Sequence, residues 1–333
     1  ERCVNEREKT FQGKTMKIGS FEKSGKSRVC AFEDDFAIDL NAAYVGLLAA
    51  KGTTKPRARA ETELPAEALA FIDGGRGYLD SANRALDYAR SIGFETAEFA
   101  QPVSDIKFVA PHQPRKIVCT GTNYEDYRKL IGIEYAPVPL IFMKSPTCVT
   151  GHEQPVVLPN GYGIFYHEWE FSCVISKACR NLKPEEVNDH IFGYTIFNDI
   201  TGRSLEATNR ELQPLGKNMD TFAPFGPWIV TPDEMPDDLY NLRTLRRRNG
   251  KIECDSNTSN MRLGFEEIIS YCTNFFTLLP GDIVTTATPP AGAFYPGDVI
   301  EAEIEGIGVL RNPVEGVDVD LTYARDLDVK DIV

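Results

Sequence analysis

The stretch Tyr166–Ile175 reads YHEWEFSCVI. Glu168 and Glu170 are separated only by Trp169, inside a run that is otherwise apolar or β-prone. In an extended strand residues i and i+2 project from one face, so the two carboxylates stand side by side and Trp169 points the other way. Carboxylates about 7 Å apart on one strand face repel each other unless something neutralises them. A hard divalent ion such as Mg²⁺ or Mn²⁺, which takes carboxylate oxygens, does this well. A third acid, Asp199, closes the next strand-like segment, GYTIFND (193–199). The three acids can converge on neighbouring strands as one site. On spacing alone, a solvated edge strand with alternating acids fits too.

Strands dominate the surroundings. KIVCTG (116–121), LIFMKS (140–145), PWIVTPDE (227–234), GDIVTT (281–286) and GDVIEAEIEGIGVLRNPV (297–314) are punctuated by Gly-Asp and Pro-Gly pairs. FEEIISYCTNFFTLLPG (265–281) carries apolar residues at helical spacing and predicts one helix ending at Pro-Gly. Upstream, KIGSFE, SRVCAFE and FAIDL predict three short strands, and LNAAYVGLLAAKG and DSANRALDYARSIG two helices. The proline-bearing segment 101–115 predicts a boundary. The fold class is therefore α+β and mostly β, with a small α/β domain over 16–110 and a larger domain over 111–333. Residues 1–15, ahead of Met16, read as an extension or a remnant of cloning.

The 333 residues are 42% hydrophobic and 26% charged, a composition that supports a packed core. A formal charge of −13 argues against a phosphate-binding surface, so no nucleic-acid partner is expected. The one dense basic run, RTLRRRNGK (243–251), ends in Asn-Gly and reads as an exposed hairpin rim. No apolar run approaches the roughly 18 residues of a membrane span. The eight cysteines form no CxxC pair, and several lie in apolar runs, which reads as free thiols and a cytoplasmic protein.

Five blocks in order resemble the fumarylacetoacetate hydrolase family over about Lys116 to Val314. They are GTNYEDY, YHEWEFSCVISKACRN, GYTIFNDITGRSLE, GKNMDTFAPFGPWIVTPDE, and GDIVTTATPP with the closing strands. The resemblance implies a mixed β-sandwich or β-roll catalytic domain and a homodimer. It implies Glu168, Glu170 and Asp199 as ligands of Mg²⁺ or Mn²⁺, with Ca²⁺ as an alternative. It implies a small anionic 2-oxo or 2,4-dioxo acid as substrate, whose carbonyl the ion polarises while an enolate forms. Lys217, in GKNMD, matches a lysine directed at the substrate, and a cation beside three carboxylates keeps its proton. Arg203 reads as a fork that orients carboxylates. Tyr124, Lys144, Asp220 and Thr288 are expected at the substrate, with Asp220 and Thr221 also suited to fixing their loop. Ala287 stands where the family has glycine in a Gly-Thr-Pro turn.

The chain departs from the family where a catalytic His and a Glu three residues later would activate water: here stand Tyr127 and Leu130. A phenol with an ordinary pKa near 10 is a poor base at neutral pH. Glu125, Asp126, His152 and His167 are alternative bases, although His167 should face away from Glu168. His112 and His190 read as surface residues. Segment 124–139 corresponds to a lid. Three readings follow. The first is a metal-dependent hydrolase cleaving a C–C bond in an acylpyruvate-like acid. The second is a decarboxylase, dehydratase or isomerase on a related acid, which the Tyr127/Leu130 pair favours. The third is a non-catalytic protein that binds metal and ligand.

Overall fold

The computed structural model describes residues 16–320. The leading unit comprises β1 (Lys17–Lys23), β2 (Lys26–Glu33) and β3 (Phe36–Asp39), then α1 (Leu40–Ala50), α2 (Pro56–Glu63), α3 (Ala68–Asp73) and α4 (Gly75–Ile92). After β4 (Ala100–Pro102), β5 (Lys107–Val109) and β6 (Ile117–Gly121) come the short helix α5 (Glu125–Ile131) and β7 (Leu140–Lys144). β8 (Val149–Thr150), β9 (Val156–Pro159), β10 (Phe165–His167), β11 (Trp169–Ile175), β12 (Ile191–Asn198) and β13 (Thr201–Gly202) follow. Two short helices, α6 (Arg203–Thr208) and α7 (Gln213–Lys217), lead to β14 (Ala223–Val230) and the hairpin β15 (Arg243–Arg248) and β16 (Lys251–Asn257). The chain closes with α8 (Phe265–Thr273), β17 (Ile283–Thr285), β18 (Gly292–Phe294), β19 (Val299–Ile304) and β20 (Gly308–Val317). The architecture is α+β and mostly strand, as the sequence predicts.

The largest sheet runs β4-β3-β2-β1-β14-β12-β11-β17-β6-β7, with β5 on β1 and β8 on β14. Backbone pairing thus crosses residue 110: β1 is antiparallel to β14. A second sheet runs β16-β15-β19-β20-β9, and a third, small one β13-β10-β18. β11 is buried along its whole length. Val174 enters one core cluster with Phe197, Ile200 and Phe222, while Trp169, Phe171, Cys173 and Ile175 enter another with Phe265 and Ile268. Alternation on a sheet covered on both faces therefore fixes which way each acid near β11 can point.

Several expectations are refined. Asp39 caps α1 by accepting from the Ala42 N–H, and the predicted helices α1 and α4 are joined by α2 and α3, which lack a strong apolar period. α8 stops at Thr273, short of the predicted Pro280-Gly281 end. Leu278 exchanges both backbone hydrogen bonds with Cys179, which draws the chain out of the helix. The β15–β16 hairpin turns on Asn249 and Gly250, both at positive φ, as an Asn-Gly turn requires. It is not all rim, because Arg246 is buried. His112, read as a surface residue, is buried too: Nε2 donates to the Gly281 carbonyl and the ring packs edge-on to Phe225. The seven cysteines among the described residues are free thiols, and no described helix is long and apolar enough to cross a membrane.

Candidate metal centre

The strand carrying the two glutamates is broken between them. β10 ends at His167 and β11 begins at Trp169, so Glu168 occupies the junction and Glu170 the first turn of pleat beyond it. Asp199 follows the last residue of β12, which is antiparallel to β11 with Trp169 opposite Asn198. The Asp199 N–H donates to the Glu168 carbonyl (2.8 Å), and the Asn198 side-chain oxygen accepts from the Glu168 N–H (3.1 Å). These backbone ties bring one oxygen from each of Glu168, Glu170 and Asp199 to within 4.8 Å of one another, and all three residues are buried.

Two lysines answer this charge. Lys144, the last residue of β7, donates from Nζ to Asp199 Oδ1 (2.7 Å) and to the Ile200 carbonyl (3.1 Å). Lys217, the last residue of α7, donates to Glu168 Oε2 (2.9 Å), Asp199 Oδ2 (2.5 Å) and Thr201 Oγ1 (2.6 Å). Burial pushes the Asp199 pKa up, but the two ammonium groups outweigh it and hold the carboxyl below its usual range. Burial also works against the charge on Lys217, and Asp199 and Glu168 overcome it, so the pKa lies well above the usual lysine value. Glu170 is the least satisfied of the three acids. Burial, then the charge of Asp199, raises its pKa well above normal, and its Oε2 is buried with no hydrogen-bond partner. Three hard oxygen donors, one of them orphaned, suit a divalent cation such as Mg²⁺ or Mn²⁺.

The expected substrate residues are distributed unevenly. Tyr124 is buried, and burial raises its phenol pKa far above normal, with the Thr286 oxygen as a hydrogen-bond partner that partly opposes the shift. Asn123, beside it, anchors the loop by donating to the Leu263 and Thr286 carbonyls and accepting from the Leu263 N–H. Thr288 is buried and its hydroxyl donates to the Pro289 carbonyl. Ala287 sits at φ +67°, so the turn keeps the left-handed backbone that glycine favours, with alanine bearing the strain. Lys144, expected at the substrate, is engaged with Asp199. Arg203, expected to orient the carboxylates, pairs with Glu206 (3.4 Å) and lies over the Tyr166 ring. Asp220 is exposed, and it is Thr221 that fixes the loop, its hydroxyl accepting from the Val157 N–H. Asn198 and Thr201 were not singled out from the sequence, although both lie in the block FNDIT.

The fumarylacetoacetate hydrolase C-terminal family model matches residues 116–315. The chain belongs to the fumarylacetoacetate hydrolase family. A mitochondrial oxaloacetate tautomerase of Xenopus laevis is 34% identical over 264 residues, covering 76% of this chain and 80% of that protein. An uncharacterized protein of Methanocaldococcus jannaschii is 40% identical over 216 residues, covering 65% of this chain and 89% of its own. Among solved structures, the fumarylacetoacetate hydrolase of Exiguobacterium antarcticum superposes with a TM-score of 0.69 at 27% identity, covering 91% of this chain and 100% of that one. The fold is thus that of the family, and its named relatives are enzymes.

Against that family background the cover of the site is distinctive. Tyr127 on α5 is half-buried, and its phenol pKa is raised, first by burial and then by the Glu168 carboxylate, with Arg203 and Lys217 opposing. Leu130 is 67% exposed. Three of the other candidate bases are occupied. Glu125 is bound by Arg128 and Tyr135, and Asp126 accepts from Ser256 (2.5 Å) and Asn260 (3.2 Å). His152 Nδ1 accepts from the Arg311 N–H. His167 is buried between Trp169 and Phe294, and burial holds its pKa well below normal. His190 hydrogen-bonds the Glu186 carbonyl near the surface.

Proposed function

We propose that the protein is a metal-dependent enzyme that interconverts the keto and enol forms of a small 2-oxo acid, with Glu168, Glu170 and Asp199 holding Mg²⁺ or Mn²⁺. One observation carries this reading: the two residues that stand where the family has its His and Glu, Tyr127 and Leu130, provide no group that would draw a proton from water. A buried neutral phenol is a hydrogen-bond donor at neutral pH, not a base, and a solvent-facing leucine orients nothing. Hydrolysis of a C–C bond needs a group that draws a proton from water, whereas in the enol-to-keto direction the enol O–H proton leaves to solvent and a neutral O–H, that of Tyr127, gives a proton to C3 and is reprotonated from solvent. The ion, when bound, would polarise the 2-oxo group and offset the charge that grows on its oxygen. Lys217 adds a fixed ammonium beside the acids, and the Tyr127 phenol, whose pKa the Glu168 carboxylate helps to raise, would supply an O–H. The oxaloacetate tautomerase relative supports this choice among the reactions open to the family.

The test is spectrophotometric. With Mg²⁺ or Mn²⁺, the enol band of oxaloacetate should decay faster with enzyme than without, and no pyruvate should appear in a coupled lactate dehydrogenase assay. Pyruvate release as the main reaction, from oxaloacetate or from acetylpyruvate, would make the protein a decarboxylase or a hydrolase instead.

The same reading includes a homodimer. β7 ends the largest sheet, Leu140 and Met143 on it are exposed, and Met143 lines a groove with the exposed Phe275. An open apolar edge is a template for a second strand. Light scattering should report two copies, and Met143→Lys should favour one.

A further inference from the structure

α5 carries Tyr127 but has little of its own to hold it in place. Seven residues are too few for a helix that is stable by itself, its N-cap Tyr124 makes no side-chain cap, and none of its side chains is fully buried. Its supports must come from other segments. Asp126 provides one, through Ser256 and Asn260. The other is built on Tyr135, where the chain returns after the helix.

Gly132 ends α5 at φ +67°, and the Ile133 N–H donates back to the Arg128 carbonyl (3.3 Å). The reversal brings the Tyr135 O–H to Glu125 Oε2 (2.7 Å), in the first turn of the same helix. Arg128 completes the loop. Its Nε and Nη2 donate to the two Glu125 oxygens (2.9 and 3.0 Å), its Nη1 to the Ile133 carbonyl (2.8 Å), and its guanidinium lies over the Tyr135 ring at 4.9 Å. A second guanidinium reaches in from a distant segment. Arg262, between β16 and α8, lies over the same ring at 4.5 Å and donates to the Ala136 carbonyl (3.4 Å). Its backbone is fixed where α5 starts: the Arg262 N–H donates to the Asn123 carbonyl (2.9 Å), and Met261 bridges to Tyr124. Over 129–138 every residue is exposed except Tyr135 and Ala136, the two that Arg262 contacts.

We propose that Tyr135 and Arg262 are positioning residues for the reaction. The Tyr135 ring, held by Arg128 from within the segment and by Arg262 from the body of the protein, is a clasp that sets α5 and with it the Tyr127 phenol. This rests on enol–keto exchange at the acids with Tyr127 as the O–H donor. Neither Tyr135 nor Arg262 touches substrate; both act through the helix. A reacting group displaced by about 1 Å loses on the order of 100-fold in rate, so a clasp outside the site is legible in turnover.

Two measurements separate the clasp from the chemistry. Tryptic cutting after the exposed Lys129 on α5, followed by mass, reports how firmly the helix is held and needs no turnover. Arg262→Ala and Tyr135→Leu should each speed that cut about 10-fold, with the urea midpoint of the whole protein as in wild type. Enol decay of oxaloacetate with Mn²⁺ reports the phenol. The same two variants should lower kcat/KM about 10-fold while Mn²⁺-dependent oxalate binding is kept. Tyr135→Phe and Arg262→Lys, which retain a ring and a cation, should recover part of the loss. In a Tyr127→Phe background Arg262→Ala should cause no further fall. Unchanged cutting in both variants, or an equal fall in kcat/KM with and without the Tyr127 hydroxyl, overturns the proposal. A Tyr127→Phe protein as fast as wild type is a different result: it removes Tyr127 from the reaction itself, and the positioning role falls with it.

Discussion

The floor of the site and its cover are built by different means. The floor consists of Glu168, Glu170 and Asp199, at or beside the ends of strands with neighbours on both sides, Lys144 at the end of the edge strand β7, and Lys217 at the end of α7, all buried. The cover is α5, seven residues with no fully buried side chain. It is rooted by Asn123 and pinned by Asp126 to Ser256 and Asn260, with Leu130 and Ile131 in solvent. Opposed charges locked in a low-dielectric interior give the floor its geometry, and a handful of polar contacts at a rim give the cover its position. On the proposed function, the floor would set what chemistry is available and the cover would set how water and substrate tails are handled. Damage to the first should appear in folding and metal uptake, and damage to the second in KM.

The largest break should come from Asp199→Ala. It strips the shared partner from two buried ammonium groups, which should cost about 3–5 kcal/mol in urea unfolding and abolish Mn²⁺-dependent oxalate binding. Retention of both would mean that the floor is not locked by charge.

Next in size is acid sensitivity of the sheet that carries the floor. Burial holds His112 at a pKa of about 4 against an ordinary 6.5, so the folded state takes a proton less readily than the unfolded chain. The contribution is fully present above pH 6.5 and is lost as pH falls toward 4, up to about 3 kcal/mol. His112→Gln should flatten that slope when urea midpoints at pH 7, 5 and 4 are compared.

Asp126→Ala acts on the cover. Loss of its bonds to Ser256 and Asn260 should cost about 1–2 kcal/mol at most and raise KM, with oxalate binding kept. An equal loss of oxalate binding would join cover and floor into one unit. The smallest effect belongs to Leu130→Ser, within about 0.5 kcal/mol of wild type and without change in enol decay. A large fall in rate would give Leu130 a role in the closed site.

The floor was more legible in the sequence than the cover. Glu-x-Glu and the aspartate closing the next strand carry a local geometric meaning, and the ordered blocks tie them to a family. Even there the reading assumed one continuous strand, whereas the break at Glu168 arises because β10 pairs with β13 and β18 while β11 pairs with β12 and β17. Lys144 gave no local signal of its engagement with Asp199, 55 residues away. Arg203 was assigned to the acids on sequence proximity, but a helix begins at that residue and turns it toward Glu206. In the basic hairpin, charge suggested solvent for every arginine, yet strand alternation and packing on Trp169 bury Arg246.

By itself the sequence determined the elements that depend on near neighbours: strand alternation at Glu168–Glu170, the Asn-Gly turn, the helical segments of α1 and α4, and the ordered family blocks. These follow from backbone sterics and side-chain period, which act over a few residues. Only the tertiary structure decided which cations meet the acids, that His112 closes on Gly281 from 169 positions away, and that Arg246 is enclosed with open donors. Burial and charge pairing are set by whichever distant segments pack together, and no window of sequence contains both partners.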